Sequence, residues 1–302
     1  MSHPSSLPVI PRLRLLQLAP ALGLLIMASL GPLIVVVVYS FLTAGDYGGV
    51  TWTFSIRAWT EVFASQDFLT GTWAISDAHL RILWRSVKLS LITTALTFVI
   101  GLPTAWFIAT RPERQREVWL LLIMIPFWTN LLIRTFAVMQ LVRTNGTVNS
   151  LLLWTGLIDQ PLQLLYTEFA VTLGMVYVYA PLMILPLYSA MARFDFTLLE
   201  AGYDLYADRR RVLWHVILPL VRPGAVSGAI LVFVPCLGAY VTPRILGGGT
   251  QLMLGNLIEL QFGQARNWPL GAALSLTLLA IVALALAGLS RMAGKEGNGH
   301  HG

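Results

Sequence analysis

Long stretches without a charged residue constrain this chain more than any other feature. Residues 15–45, 169–192 and 267–290 carry no charged side chain. A transmembrane α-helix needs about 20 consecutive apolar residues, and each of these stretches supplies them. Lipid cannot solvate an unpaired backbone amide, so runs of this length cross it as helices. The sequence therefore predicts an all-α, polytopic membrane protein.

The composition agrees with this prediction. Hydrophobic residues make up 56% of the 302 residues, whereas charged residues make up only 11%. A soluble chain of this length would need more charge to cover its surface. The net charge of +6 comes from basic residues dispersed along the chain, so it favours a membrane topology signal and not nucleic-acid binding.

Six membrane spans are predicted from the positions of the charged residues, which places both termini on one side. The third span must carry Arg134 near its outer end. The predicted spans cover residues 18–42, 89–110, 118–142, 168–193, 222–244 and 266–291.

Most of the basic residues then fall in short loops and tails on the side of the termini, so both termini are predicted to be cytoplasmic. Arg81, Arg85 and Lys88 are the exception, at the outer edge of the second span. These three side chains are expected to reach lipid phosphates or to pair with a nearby loop.

The loops divide the chain into three predicted regions. Residues 1–80 would form an N-terminal tail, the first span and a long periplasmic loop, residues 81–291 the main membrane domain, and residues 292–302 a disordered tail. The outer loop at 143–167 contains a turn signal and then a short helix, and the glycines at 247–249 predict another turn. No phosphate-binding loop, metal-ligand cluster or disulfide pattern is present in the sequence, whose only cysteine is Cys236.

An inner segment at residues 199–224 is charged although it lies between two spans. Thr197 and Glu200 fit a capping box, and Asp208 is a candidate cap for a second short helix. Pro219 and Pro223 are expected to break that second helix before the fifth span begins. A pair of helices with acidic and basic groups would form a partner-binding surface.

This segment resembles the "EAA" loop of bacterial ABC importer permeases. The resemblance rests on Glu200-Ala201-Gly202, on Tyr206 after three further residues, and on Ile217-Leu218-Pro219. The motifs at 85–88 with 101–106, 125–135, and 255–258 with 267–273 resemble the spermidine/putrescine (polyamine) branch of that family.

Two residues depart from the family pattern. Gly202 replaces the second alanine, and Tyr206 occupies the usual glycine position at the turn between the two short helices. A positive φ at this turn would be unfavourable for tyrosine. The alternative is a turn built around Ala207 and Asp208.

The resemblance implies a six-helix permease of the type I ABC importer fold that carries out no chemistry itself. The partners that it implies are a second homologous permease, two ATPase subunits that bind ATP and Mg²⁺, a periplasmic solute-binding protein and the surrounding membrane lipid. No cofactor is expected in this chain. Movement of the ATPase would reach the membrane helices through the inner segment. The expected coupling residues are Glu200, Ala201, Gly202, Tyr206, Ala207, Asp208, Arg209, Arg210, Arg211 and Pro219.

The solute is less constrained by the sequence. No carboxylate lies inside the predicted spans, so a polyamine would meet a polar and aromatic path. The path candidates, which interhelical packing would also explain, are Phe127, Trp128, Asn130, Tyr177, Tyr179 and Tyr240. The acidic candidates at the outer face are Asp159, Glu168 and Glu259.

Two alternatives stay open from the residues. Arg134 suits an anionic solute, which keeps an importer of an opine or an organophosphonate in consideration. A carrier or channel driven by an ion gradient is the second alternative, and it would be expected to show an intramembrane carboxylate or histidine relay. The sequence shows no such relay, so the importer is favoured.

Overall fold

The structure, a computed structural model, describes residues 12–45, 47–66, 73–75, 77–194, 197, 203–204 and 206–294. Within this part of the chain, five helices are long and apolar enough to cross a membrane. They are α1 (Arg12–Ser40), α3 (Asp77–Ala109), α7 (Glu168–Met191), α8 (Arg209–Leu237) and α11 (Trp268–Gly294). The predicted first, second, fourth and sixth spans lie within or along α1, α3, α7 and α11.

The third predicted span is not one straight helix. It consists of α4 (Glu113–Trp128) and α5 (Leu131–Val142). The chain bends by 93° between Glu113–Trp128 and the segment Leu131–Trp154, which begins with α5. Thr129 donates its hydroxyl to the carbonyl of Pro126 at 2.7 Å, and the Asn130 side chain accepts the amide of Leu132 at 2.8 Å. Because Asn130 caps a new helix, the chain changes direction here. The number of spans reaches six if the bent pair crosses as one.

The expected break at Pro219 and Pro223 is wrong. One helix, α8, runs from Arg209 to Leu237 and includes a π-helical turn at Leu213–Ile217. A proline in a regular helix has no amide to donate and collides with the carbonyl four residues before it. The wider π turn changes the hydrogen-bonding register just before Pro219, which accommodates the ring at the start of the following α-helical part. The fifth span therefore begins and ends earlier than predicted.

The main core lies where α3, α7 and α8 pack together. Leu89, Met183, Leu187 and Val232 are among its fully buried side chains. By contrast, α1 contacts α11 and leaves most of its apolar surface exposed. An exposed apolar helix of this kind is suited to lipid or to another membrane chain.

Short strands and one short helix follow α1. Strands β1 (Leu42–Ala44) and β2 (Val50–Phe54) form an antiparallel hairpin that precedes α2 (Arg57–Phe63), and β3 (Ala64–Gln66) pairs with β4 (Trp73–Ile75).

Two loop predictions are confirmed. The short helix after the Asn145-Gly146 turn is α6 (Thr147–Trp154), and glycines 248 and 249, with positive φ, end α9 (Val241–Gly247). The next helix is α10 (Leu254–Phe262). The three predicted regions of the chain stay predictions; α11 continues to Gly294, and residues 295–302 lie outside the described residues.

Candidate functional site

Only part of the inner segment falls on described residues. Glu200, Ala201 and Gly202 lie outside them, as does most of the expected capping box. Tyr206 is described and has a φ of 57°, so the turn does use the left-handed conformation at the usual glycine position. Its amide donates to the carbonyl of Tyr203 at 2.9 Å, and its side chain is 95% exposed.

The start of α8 follows the sequence prediction closely. The Asp208 side chain accepts the amide of Arg211 at 2.9 Å, which confirms Asp208 as a helix cap. Three consecutive arginines, residues 209–211, form the first turn and are exposed, while Val212 is buried. The result is a basic surface beside an exposed aromatic ring at the cytoplasmic end predicted for this helix.

Two of the path candidates meet at one cavity: Tyr179 lies in the middle of α7, and Tyr240 immediately precedes α9. Tyr179 and Tyr240 line one cavity of about 160 Å³, together with Leu131, the first residue of α5. Tyr179 donates a long hydrogen bond of 3.4 Å to the carbonyl of Pro235 in α8, and Tyr240 is 48% exposed. The fold thus brings together two aromatic residues that lie far apart in the sequence.

The other path candidates have different surroundings. Trp128, at the end of α4, is 76% exposed, and Tyr177 is also exposed. Asn130 uses its side-chain oxygen to cap α5, so a structural role accounts for this residue. Phe127 lies under the guanidinium group of Arg134, whose central carbon is 5.5 Å from the ring centroid.

Arg134 is the residue whose environment the sequence did not reveal. It was expected near the outer end of a straight span, but the bend places it in the first turn of α5, where it is only 9% exposed. Its Nη1 atom donates to the carbonyl of Val178 in α7 at 3.4 Å, and its buried Nε atom has no hydrogen-bond partner among the described residues. Pro126 and the capping residue Asn130, in the middle of an apolar run, were the available signals of this break.

Two of the outer acidic candidates are already paired with cations. Glu168 contacts Lys88 at 2.6 Å and Arg85 at 3.4 Å, and Arg85 also donates to the carbonyl of Thr250 at 3.0 Å. These contacts join α3 to the start of α7. Of the three basic residues, Arg85 reaches a nearby loop at Thr250, as expected, whereas Lys88 pairs with α7 and Arg81 contacts Asp77 in its own helix at 3.4 Å.

The remaining acidic candidates differ from each other. Glu259 contacts Arg244 at 2.7 Å, whereas Asp159 lies exposed in the loop after α6. Among the described residues, no group of three or more histidine, cysteine, aspartate or glutamate side chains is arranged to hold a metal ion.

Comparison with known proteins gives several relatives over most of the chain. The chain is 36% identical over 264 residues to the spermidine/putrescine transport system permease protein PotB of Escherichia coli (strain K12). This alignment covers 87% of the chain and 92% of PotB. It is 35% identical over 260 residues to PotB of Haemophilus influenzae, in an alignment that covers 86% of this chain and 87% of that protein. The inner membrane ABC transporter permease protein YdcU of Escherichia coli is 27% identical over 231 residues, covering 72% of this chain and 73% of YdcU.

Solved structures show the same fold at lower sequence identity. A chain of a bacterial alginate ABC transporter, in complex with an alginate pentasaccharide-bound periplasmic protein, superimposes with a TM-score of 0.70 at 15% identity and covers 94% of both chains. A second structure of a bacterial ABC transporter that imports alginate gives a TM-score of 0.62 at 16% identity, covering 92% of this chain and 95% of that one. The fold is therefore that of ABC transporter permeases.

The family model described as "Binding-protein-dependent transport system inner membrane component" matches residues 83–293. This range includes the helices of the main core, the bend at α4–α5 and all of α8. Together with the relatives above, it shows that this chain belongs to the family of binding-protein-dependent transport system inner membrane components, as a multi-pass permease subunit and not an enzyme.

Proposed function

We propose that this chain is the permease subunit of an ATP-driven importer that admits a polyamine of the spermidine or putrescine type. The observation that carries the proposal is its 36% identity to spermidine/putrescine permeases over 87% of the chain. The importer would contain a second homologous permease, two separate ATPase subunits that bind ATP and Mg²⁺, and a periplasmic binding protein that delivers the solute.

Two exposed aromatic side chains support a cationic, flexible solute. Exposed Trp128 and Tyr240 offer aromatic faces on which each amine would gain about 0.5–2 kcal/mol by cation–π contact. Glu168 and Glu259 are paired with basic side chains, so in this chain they do not offer a free carboxylate for tight binding. Weak contacts suit a path that must release its solute, with affinity supplied by the binding protein.

Uptake of radiolabelled spermidine tests the substrate. The chain, its partner permease, the ATPase and the binding protein from its own system would be expressed together in cells that lack other polyamine importers. We expect ATP-dependent uptake that unlabelled putrescine inhibits and that opines and organophosphonates do not. Uptake of a labelled opine or organophosphonate, with none of spermidine, would contradict the polyamine assignment and leave the importer assignment standing.

The inner segment is the proposed contact with the ATPase. Its proposed coupling residues are Glu200, Ala201, Gly202 and the described residues from Tyr206 to Arg211, together with Pro219, which follows the π turn in α8. Its support is the resemblance to the EAA loop and the exposure of Tyr206 and the three arginines. Nucleotide-driven closure of the ATPase would move this segment and shift the helices between two states.

A substitution at Glu200 tests this coupling. In the reconstituted complex, Glu200→Ala is expected to keep all subunits together but to lower solute-stimulated ATP hydrolysis about tenfold, the effect of losing about 1.4 kcal/mol at a contact. Glu113→Ala, at the exposed start of α4, is the matched control. Unchanged stimulation in Glu200→Ala would remove this residue from the coupling mechanism.

A further inference from the structure

Arg134 carries a buried positive charge that no carboxylate in the described part of the chain compensates. No carboxylate forms an ion pair with it in the part of the chain that the structure describes, and its Nε atom is buried without a hydrogen-bond partner. Its guanidinium group donates one long hydrogen bond to the carbonyl of Val178 and lies over the ring of Phe127. A charge in such surroundings is unfavourable to folding, and in a membrane protein it is usually retained for function.

The helix geometry adds to this positive potential. Arg134 lies in the first turn of α5, where its amide donates to the carbonyl of Asn130 at 3.1 Å. The N-terminal end of a helix carries a partial positive charge of its own. A cation placed at this end is therefore repelled, not stabilised, which excludes helix-dipole stabilisation as the reason for an arginine here.

The charge lies close to the aromatic cavity although it does not line it. Leu131, which lines the cavity, and Arg134 are three residues apart in α5, so they share one helix face with about 5–6 Å between their Cβ atoms. Val178, which accepts the hydrogen bond from Arg134, is followed by the cavity residue Tyr179. Burial keeps a solute from contacting the guanidinium but does not block its electric field, which is screened less in the interior than in water.

We propose that Arg134 is a specificity-determining residue that excludes protons and small inorganic cations from the path. A small cation meets the field of Arg134 and of the α5 N-terminus with little to offset it, as arginines and helix ends exclude cations in other pores. A long organic cation offsets the same repulsion by stacking on Tyr240, which lines the cavity, and on Trp128, which is exposed at the end of α4. The path thus stays closed to the ion gradient while it admits the organic solute. This selectivity rests on the proposed importer function.

The test measures passive ion leak through the whole transporter without ATP or polyamine. The complex would be reconstituted into liposomes that contain a pH-sensitive dye, and a potassium diffusion potential would drive protons inward; a sodium-sensitive dye repeats the measurement with Na⁺. Arg134→Met and Arg134→Gln both remove the charge, and the glutamine keeps a donor for the carbonyl of Val178. Both variants are expected to raise the leak roughly tenfold, because a unit charge about 10 Å from the ion contributes about that factor at an effective dielectric of about 20.

Two controls separate charge from structure. Arg134→Lys keeps the charge, so its passive ion leak should equal that of the unaltered complex. Arg143→Met removes an exposed arginine at the other end of the same helix, where Arg143 donates to Gln140 at 3.0 Å, and should not leak. A leak that stays at the unaltered level in Arg134→Gln would overturn the proposal, and so would an equal leak in Arg134→Lys.

The proposed substrate does not enter this readout. In one outcome, the unaltered complex does not take up spermidine, but Arg134→Gln leaks ions and Arg134→Lys does not. The polyamine assignment is then wrong, and the proposed exclusion of small cations by Arg134 is supported. If spermidine is taken up and neither charge-free variant leaks ions, the proposed role of Arg134 is wrong and the substrate assignment is supported.

Discussion

Tyr206 holds a left-handed backbone conformation, with φ at 57°, at the turn that precedes α8. For a non-glycine residue this conformation costs about 1–2 kcal/mol, and the side chain recovers little of it because it is 95% exposed. Glycine at this position would remove the strain and would add entropy to the unfolded chain, so the two effects partly cancel.

The prediction at Tyr206 compares two substitutions. Tyr206→Gly should keep uptake and change the free energy of unfolding by no more than about 1 kcal/mol. Tyr206→Pro should destabilise the turn by about 2 kcal/mol or more, because proline fixes φ near −65° and removes the amide that donates to Tyr203. Thermal unfolding and ATP-dependent uptake of the purified complex measure both; equal stability of the two variants would contradict the left-handed turn.

Glu168 joins α3 to α7 through two cations, Arg85 and Lys88, at the predicted outer side. Its side chain is 39% exposed, so solvent screening keeps the contribution of the pairs small. Glu168→Gln is predicted to lower the free energy of unfolding by less than about 1 kcal/mol and to leave the KM for spermidine unchanged. Asp159→Asn, at an exposed position, is the matched control. A large rise in KM for Glu168→Gln alone would make this carboxylate a solute contact.

At the scale of elements, the close approach of α7 and α8 depends on a small residue. A Cβ atom added to Gly224 would lie 2.5 Å from the carbonyl oxygen of Pro186, so the helices could not keep their present separation. Small residues allow this kind of backbone approach in membranes, where packing drives helix association.

Gly224→Ala is therefore predicted to destabilise the protein by about 1–3 kcal/mol. The matched control is Gly288→Ala in α11, where an added Cβ meets nothing within 4 Å and helix propensity favours alanine. Thermal unfolding in detergent gives both values. Equal melting temperatures for the two variants would show that α7 and α8 separate freely at this point.

The bent pair α4–α5 decides the topology of the whole molecule. With this pair as one crossing there are six spans, and without it there are five. An even number places both termini on one side of the membrane, and the distribution of basic residues predicts that this side is the cytoplasm.

Labelling of single cysteines tests the topology. The only cysteine, Cys236, is first replaced by serine, and Ser5→Cys, Asn298→Cys and Asp159→Cys are made singly. A membrane-impermeant maleimide is expected to label Asp159→Cys in intact cells and both terminal positions only after permeabilisation. Labelling of one terminus in intact cells would show that the bent pair does not cross.

Much of the fold follows from local properties of the sequence. The uncharged runs at 15–45, 169–192 and 267–290 predict α1, α7 and α11 because lipid requires a hydrogen-bonded helix wherever apolar residues extend far enough. Asp208 is recognisable as a helix cap because capping depends on residues within one turn. The similarity to permease sequences then identifies the family.

Tertiary structure decided what depends on residues far apart in the chain. A hydropathy profile does not reveal the bend at Asn130 or the π turn before Pro219. The bend changes the direction of the chain and the π turn changes the hydrogen-bonding register, but neither changes the composition. The burial of Arg134 against Val178 and the meeting of Tyr179 with Tyr240 follow from how α5, α7 and α9 pack. The sequence by itself determined which segments suit the membrane and which family the chain belongs to. Only long-range packing determined where the buried charge of Arg134 lies relative to the aromatic cavity, because the effect of a charge depends on the groups that surround it in the folded protein.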